Sequence, residues 1–497
     1  MYSMTYITIH QLDDEDKDMT QIEFAKILNE MIESIPNTKN EIIGRTGIDR
    51  STFFKFLSGK RFPTADQLAS IIEKSGIKES DVKKLRKAYD ETHYSHILYN
   101  NIEVVRQCLE AMTEASYLKK YERSNDTDIF PLDQAESETG AKAEEVITTI
   151  HHEIQGRSDI EYAIVTLING EISRGGVETY CFLPLNATKF LIKNRNIVQH
   201  CNNKVHFLFR FSDTLDELSK HTAPQFYDLI PMALAVDCQI RIFYGGSDLA
   251  DGTGLLFPYY IISGSGVLFL NSQLTEGVYT QDKTLIDVYQ RAYKRAFLMS
   301  DEITDRIESL DDVRSVIVNQ ISLMHASDHL FMINHSPCMN MIATEELVRK
   351  FIDPSIQDKM WAYSSMLQNS SPIEIVSLEG IREIAATYRL EEYNFRMSTT
   401  KEIAHNVLLG LRARLGKTLF IADSNHLVIP EEWSVFAVPE RSIILIPQYE
   451  KSTAVSLYEK NILHSFSGAF DTGLEYFVLT TQMAERILDY YIEETAE

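Results

Sequence analysis

Nowhere does an uninterrupted apolar run approach the ~18 residues that cross a bilayer, and the segment Met1 to Asp18 is acidic where a secretory signal would be basic. The chain is therefore expected in the cytoplasm, with no membrane partner. Cysteine is scarce as well: Cys108, Cys181, Cys201, Cys238 and Cys338 are scattered, odd in number and free of CxxC spacing. That argues against a disulfide framework or a thiolate zinc site and makes them buried small apolar residues. Several chemistries lack their motifs. Gly245-Gly246 and Gly252-Thr253-Gly254 follow a strand-like run ending at Tyr244, but without GxGxxG or GxxxxGKS/T they read as loop punctuation. His325, Asp328, His329 and His335 lie close together, and His325/His329 at i, i+4 share a helix face, yet no HExxH glutamate accompanies them. Solvated or core histidines are the expectation, and His151-His152-Glu153 has no spaced partner at all. GxSxG is absent, and Ser263-Gly264-Ser265-Gly266 sits in a hairpin turn, a poor place for a nucleophile elbow. No catalytic set, no metal-ligand set and no cofactor is expected.

What the chain does have is length and an uneven charge. Its 497 residues imply about three domains. Hydrophobic residues at 44% and charged residues at 24% are the proportions of a soluble globular protein, not of a disordered chain. A net charge of −24 repels nucleic acid unless positive charge is concentrated locally. It is concentrated: Pro36 to Tyr89 holds twelve Lys/Arg against six Asp/Glu, just after the acidic run Asp13, Asp14, Glu15, Asp16 and Asp18. One small basic unit on a large acidic body suits a DNA-contacting head carried by a sensory or assembly domain.

The head reads as short helices between turn signals. Ile22 to Ile32 give an apolar face that Pro36-Asn37 ends; Thr38 caps a second helix, and Asp49 a third from Arg50 to Leu57 stopped by Ser58-Gly59. Thr64 caps a fourth, and Lys78 to Tyr89 forms a fifth. Tyr6 to Ile9 alternates like a strand, with the acidic segment after it a mobile link. Leu98, Ile102, Val105, Leu109 and Met112 then recur at steps of four and three, a seam that either dimerises or packs on its own chain. Beyond the polar segment Arg123 to Glu145, strands are expected at Tyr162 to Ile168, Thr179 to Leu185, Val205 to Phe211 and Gln239 to Tyr244. Phe226 to Val236 reads as a helix, Tyr259 to Leu270 as a hairpin, and Lys283 onward as a helix with Leu285, Val288, Tyr289 and Phe297 on its apolar face. A similar order recurs with the helix Ile403 to Leu415, the strand Thr418 to Ile421, the pair Val435 to Val438 and Ile443 to Ile446, and the helix Val455 to Phe470. Ile230, Leu234, Cys238 and Ile242 align with Val407, Leu411, Leu415 and Leu419, which points to an internal duplication.

Thr38 to Thr64, with its Thr46-Gly47-Ile48 turn, Arg50-Ser51-Thr52 helix start, Ser58-Gly59-Lys60-Arg61 exit and Pro63, resembles the helix-turn-helix of the Cro/C1-type (XRE) repressor family. Taken over the whole head, residues 20–90, the resemblance covers about a seventh of the chain. It implies that Arg50, Ser51 and Lys55 face bases, while Thr38, Lys39, Lys60 and Arg61 hold phosphates of double-stranded DNA. Leu57, where an acidic residue is common in that family, and the bulky Phe53-Phe54 depart from its pattern. A duplicated α/β body is also similar to the phospholipase-D-like superfamily; neither half has its HxKxxxxD motif, which implies a non-catalytic scaffold.

The expected fold is thus multidomain: an all-α helix-turn-helix head followed by a mixed α/β body, internally duplicated. Its divisions are a strand and acidic link at 1–19, the DNA-binding head at 20–90, a connector or dimerisation helix at 91–122, a linker at 123–145, and body halves at 146–300 and 301–497. The expected function is a DNA-binding transcriptional regulator, more a binding protein than an enzyme, acting as a homodimer whose body senses an unidentified small-molecule effector or assembles subunits. The alternatives are a hydrolase-like enzyme, or a defence or mobile-element interaction protein, with an autoregulatory head.

Overall fold

The computed structural model describes residues 14–93, 96–124, 151–173, 178–193, 205–211, 229–230, 232, 239–244, 257–307, 309–324, 329–392, 395–447 and 454–496. The chain divides into two compact units, Met1–Asn101 and Ile102–Glu497.

Among its described residues the first unit holds helices only: α1 Asp14–Ser34, α2 Lys39–Thr46, α3 Arg50–Leu57, α4 Ala65–Ser75 and α5 Glu79–His93, before α6 begins. Phe24, Leu28, Met31 and Ile32 of α1 meet Ile42, Phe53, Phe56, Leu68, Ile71 and Leu85 in one core. The acidic run expected to be a link is instead the start of α1 from Asp14 onward, since carboxylates at a helix N-terminus oppose its positive dipole end. Helix α6, His96–Ser124, contains the boundary between the units. Ile102, Val105, Leu109 and Met112 are all buried within the chain, so of the two roles left open for that seam, packing on its own chain is the one observed.

In the second unit the chain runs β1 His151–Gln155, α7 Arg157–Ser173, β2 Thr179–Leu183, α8 Thr188–Lys193, β3 Val205–Phe211, β4 Gln239–Tyr244, β5 Tyr259–Ile262, β6 Val267–Leu270, β7 Glu276–Thr280, α9 Lys283–Leu298 and β8 Asp301–Glu302. It continues through β9 Thr304–Ile307, α10 Leu310–Ser322, β10 Phe331–Asn334, α11 Met339–Ile342, α12 Glu345–Phe351, α13 Gln357–Asn369, β11 Ile373–Val376, α14 Leu378–Thr387, β12 Arg389–Glu392 and β13 Phe395–Ser398. Last come α15 Lys401–Arg414, β14 Leu419–Ile421, β15 Trp433–Val438, β16 Ser442–Pro447, β17 Ala454–Leu457, α16 Lys460–Phe477 and α17 Thr481–Ala496.

These strands form two large mixed sheets and a small hairpin, β12 with β13. The first sheet is ordered β4-β3-β2-β5-β6-β7-β1, with β8 added beside β4; the second is ordered β14-β11-β10-β15-β16-β17-β9. In each, three parallel strands continue into an antiparallel meander that the sheet's first strand in chain order closes. Strands β10, β15, β16 and β17 are buried along their whole length, as a sheet with both faces covered requires. One face packs on α10 and α13 through Val313, Ile317 and Leu367; α14, α15 and α17 form the core on β11 and β14 through Ile381, Leu408, Leu411 and Leu488. Glu374 of β11, with no exposure, ties together the elements around the second sheet: its carboxylate accepts from Arg414 Nη2 at 2.7 Å, from the Cys338 amide at 2.6 Å and from Asn334 Nδ2 at 3.3 Å.

Three expectations need correction. Tyr162 to Ile168 is not a strand but part of α7, where Ile160, Ala163, Ile164, Leu167 and Ile168 are buried at helical spacing; β-branched residues suit a helix when tertiary packing rewards one face. Val455 to Phe470 is not one helix: Val455 to Leu457 belong to β17, and α16 starts at Lys460 because the Glu459 side chain caps it, accepting from the Ile462 amide at 2.8 Å. On α9, Leu285 and Val288 are 39% and 44% exposed, and the inward face is instead Ile286, Tyr289, Tyr293, Ala296 and Phe297. The strand at Tyr6 to Ile9, nearly all of the linker 123–145 and most of the helix Phe226 to Val236 lie outside the described residues. Both hairpins form as expected.

Candidate nucleic-acid interface

Each helix of the motif begins on a side-chain cap that its own sequence supplies. The Thr38 hydroxyl accepts from the Glu41 amide at 3.4 Å, and Glu41 Oε2 accepts from the Thr38 amide at 2.9 Å and its hydroxyl at 3.0 Å, a reciprocal capping box. Those Thr38 donors hold the Glu41 carboxyl below its ordinary range. Gly47 ends α2 at φ +68°, a left-handed position where a Cβ is unfavourable. Ser70 on α4 donates to the Thr46 carbonyl at 2.7 Å, pinning the turn. Asp49 then accepts from the Thr52 amide at 2.8 Å to start α3, and the Thr52 hydroxyl and amide lower its pKa.

Helix α3 is held by its inner face and open on its outer one. Phe53 and Phe56 have no exposure, and Leu57 packs on the same core. Arg50, Ser51, Phe54 and Lys55 are exposed, with the Arg50 guanidinium 5.8 Å from the centre of the Phe54 ring. The adjacent phenylalanines therefore have opposite surroundings. Of the two, noted in the sequence only for their bulk, Phe54 is the surface residue, and its i, i+4 spacing from Arg50 was the available signal.

The exit from α3 is a Schellman motif. The Lys60 amide donates to the Lys55 carbonyl at 2.9 Å and the Gly59 amide to the Phe56 carbonyl at 3.1 Å. Pro63 is buried, and Phe62 stacks on Tyr89 at 4.7 Å and meets Phe24 edge-on at 4.9 Å. The loop bearing exposed Lys60 and Arg61 is thereby anchored at both ends. An open recess of about 340 Å³ lies beside it, lined by Gly47, Asp49, Thr52, Arg61, Gln67 and Ser70 among others.

The seven residues assigned to DNA fall into two groups. Arg50, Ser51, Lys55, Lys60 and Arg61 share α3 and its exit, no carboxylate occurs from Arg50 to Ala65, and none of the four cations forms an ion pair among the described residues. Thr38 and Lys39 are engaged elsewhere: Thr38 in its capping box, and Lys39 Nζ on Glu33 Oε1 and Asn29 Oδ1, both at 3.0 Å. Lys39 and Asn29 in turn hold Glu33 below its ordinary pKa. Of the other histidines and acids singled out, His325 and Asp328 lie outside the described residues, His329 is exposed, and His335 is partly buried at the end of β10. In the body, an apolar crevice lined by Phe331, Val438, Leu463 and Phe466 is too narrow to admit water, so it offers an effector no room. No helix among the described residues is long and apolar enough to cross a membrane.

No family model matches the chain, and no curated protein matches it. Among solved structures, the chain is similar to one of TrmBL2, an archaeal chromatin protein described as showing a novel mode of DNA binding: the match covers 59% of this chain and 100% of that one at 10% identity, with a TM-score of 0.19. At that score the likeness carries no argument about this chain.

Proposed function

We propose that the first unit is an XRE-type helix-turn-helix that binds double-stranded DNA, and that the chain is a transcriptional regulator. The observation that carries this reading is the outer face of α3 and its anchored exit: four cations without ion pairs among the described residues, on a helix whose inner face is locked into the core. In the major groove, Arg50, Ser51 and Lys55 read base edges, and Lys60 and Arg61 hold phosphates. Thr38 and Lys39 join the phosphate set by exchanging Glu41 and Glu33 for the DNA backbone. One head contacts one half-site, so the regulator acts as a homodimer. The shared strand order of the two sheets supports a body that arose by internal duplication, its halves at 146–300 and 301–497 following the DNA-binding head at 20–90. That body senses an effector or assembles subunits, and the protein works in the cytoplasm.

Selection of bound sequences from a random duplex library by the full chain, followed by footprinting, tests the reading. Arg50→Ala is expected to cost about 1–3 kcal/mol at the selected site and to relax discrimination at one base position. Lys60→Ala should weaken all sequences alike and lower the salt slope by about one. A library that yields no preferred site, or an Arg50→Ala chain with unchanged affinity and preference, replaces this reading with a protein-interaction module.

A further inference from the structure

Open α/β sheets gather ligands at the carboxyl ends of their parallel strands. At that edge of the second sheet, β10 leads into His335, β11 into Ser377, and the segment between β14 and β15 carries Glu431. Glu383 comes from the second turn of α14, which Ser377 caps. The helix can start so close because residue 380 is glycine: a Cβ there would lie 2.1 Å from the His335 carbonyl oxygen and 2.8 Å from Ser336 Cα. One ring nitrogen of His335 and one carboxylate oxygen each of Glu383 and Glu431 lie within 4.8 Å of one another.

Hydrogen bonding decides what His335 presents. The Ser377 hydroxyl has one hydrogen, which it donates to the His335 carbonyl at 2.9 Å, and it accepts from the Gly380 amide at 2.9 Å. In the neutral imidazole its contact with His335 Nδ1 at 3.2 Å therefore takes the ring hydrogen from Nδ1, and Nε2 is left as the acceptor nitrogen. That nitrogen is fully covered and makes no hydrogen bond. It stands 3.6 Å from Glu383 Oε2, beyond the reach of an N–H···O bond. A covered lone pair facing carboxylates is unfavourable by itself and becomes favourable with a cation between them. The separation of His335 and Glu383 suits one, because two ligands ~2.1 Å from a tetrahedral ion lie ~3.4 Å apart. A histidine backed through Nδ1 by a hydrogen-bonding partner is also how proteins orient metal-binding imidazoles.

We propose that His335 Nε2, Glu383 and Glu431 bind a divalent first-row transition ion, Zn²⁺ or Mn²⁺. Two carboxylates balance the charge of a dication, and a mixed imidazole and carboxylate set suits these ions rather than thiophilic Cu(I) or all-oxygen-preferring Ca²⁺. Three protein ligands would leave a fourth position of a tetrahedral ion for water. The site is independent of DNA binding by the head.

Equilibrium dialysis of the chelator-stripped full chain against Zn²⁺ or Mn²⁺, with bound metal counted by mass spectrometry, tests this. One ion per chain is expected. Glu383→Gln, Glu431→Gln and His335→Gln should each weaken binding at least about tenfold, and the two glutamate variants, at exposed positions, should keep the melting temperature of the metal-free protein. Absence of saturable binding up to about 1 mM, or equal binding by the wild type and a Glu383→Gln/Glu431→Gln double variant, overturns the site and leaves His335 and Glu383 as a pair of neighbours.

Discussion

Phe53 and Phe54 adjoin in sequence and should respond to truncation very differently. Phe53 has no exposure and fills the head core against Ile42, Phe56 and Ile71. Phe53→Ala removes a buried ring and leaves a cavity, at a cost of about 3–5 kcal/mol. Phe54 is 39% exposed, and its distinct contact is the Arg50 guanidinium at 5.8 Å. An exposed cation–π contact contributes about 0.5–1 kcal/mol, partly offset by the better helix propensity of alanine, so Phe54→Ala should cost about 1 kcal/mol or less. Native-state hydrogen exchange of the α2, α3 and α4 amides in the full chain separates the two. At 1.4 kcal/mol per factor of ten, Phe53→Ala should lower protection by about two to three and a half orders of magnitude, and Phe54→Ala by less than one. The ranking should invert for DNA: Phe54→Ala frees Arg50 and alters operator affinity in a head that remains folded. Equal protection losses, or a larger loss for Phe54→Ala, would refute the orientation of α3 on which the interface rests.

Elsewhere, Arg414→Leu strands the buried Glu374 carboxylate and should cost about 3–5 kcal/mol, with Glu374→Leu in the same chain recovering part of it; urea denaturation giving a simple sum of the two single losses would contradict the pairing. Gly380→Ala forces a methyl against the His335 carbonyl and should cost about 1–3 kcal/mol, read as a lower melting temperature; an unchanged melt would mean that α14 is not held against β10. The carboxyls of Asp49, Glu41 and Glu33 have lowered pKa values in the folded head. Their contribution is therefore present above the ordinary carboxylate range near about 4 and is lost as pH falls through the lowered values. Hydrogen exchange between about pH 6 and 3, corrected for intrinsic rates, should show the head weakening on acidification, with a shallower dependence in Asp49→Asn; an identical dependence in that variant would rule out the cap as a source.

Legibility followed how local the determining contacts are. The bounds of α2, α3 and α4 could be read because Thr38, Asp49 and Thr64 lie within three residues of the amides they cap and Gly47 stands where α2 must end. The five cationic and hydroxyl positions on α3 and its exit came from the same short stretch. Helix α7 was misread because Ile164, Val165, Thr166 and Ile168 suit either structure in isolation, and only their packing selects the helix. The start of α16 was hidden because β17 runs into it with two residues between. His335, Glu383 and Glu431 carry no spacing signal, since three chain segments meet there only once the parallel strands are laid side by side.

The closing strand of each sheet has a consequence for how the chain is made. His151 of β1 lies opposite Thr280 of β7, and Thr304 of β9 opposite Leu457 of β17. The first strand of each sheet in chain order therefore waits longest for its neighbour, through roughly 120 to 150 further residues, or about 6–30 s of synthesis at 5–20 residues per second. The meanders β5-β6-β7 and β15-β16-β17 need only short-range closure and can form ahead of it. During that interval β1 or β9 is an unpaired edge, able to pair with the wrong chain. A nascent chain arrested before residue 454 carries β9 without its neighbour β17, and it should bind chaperones that the released 497-residue chain does not.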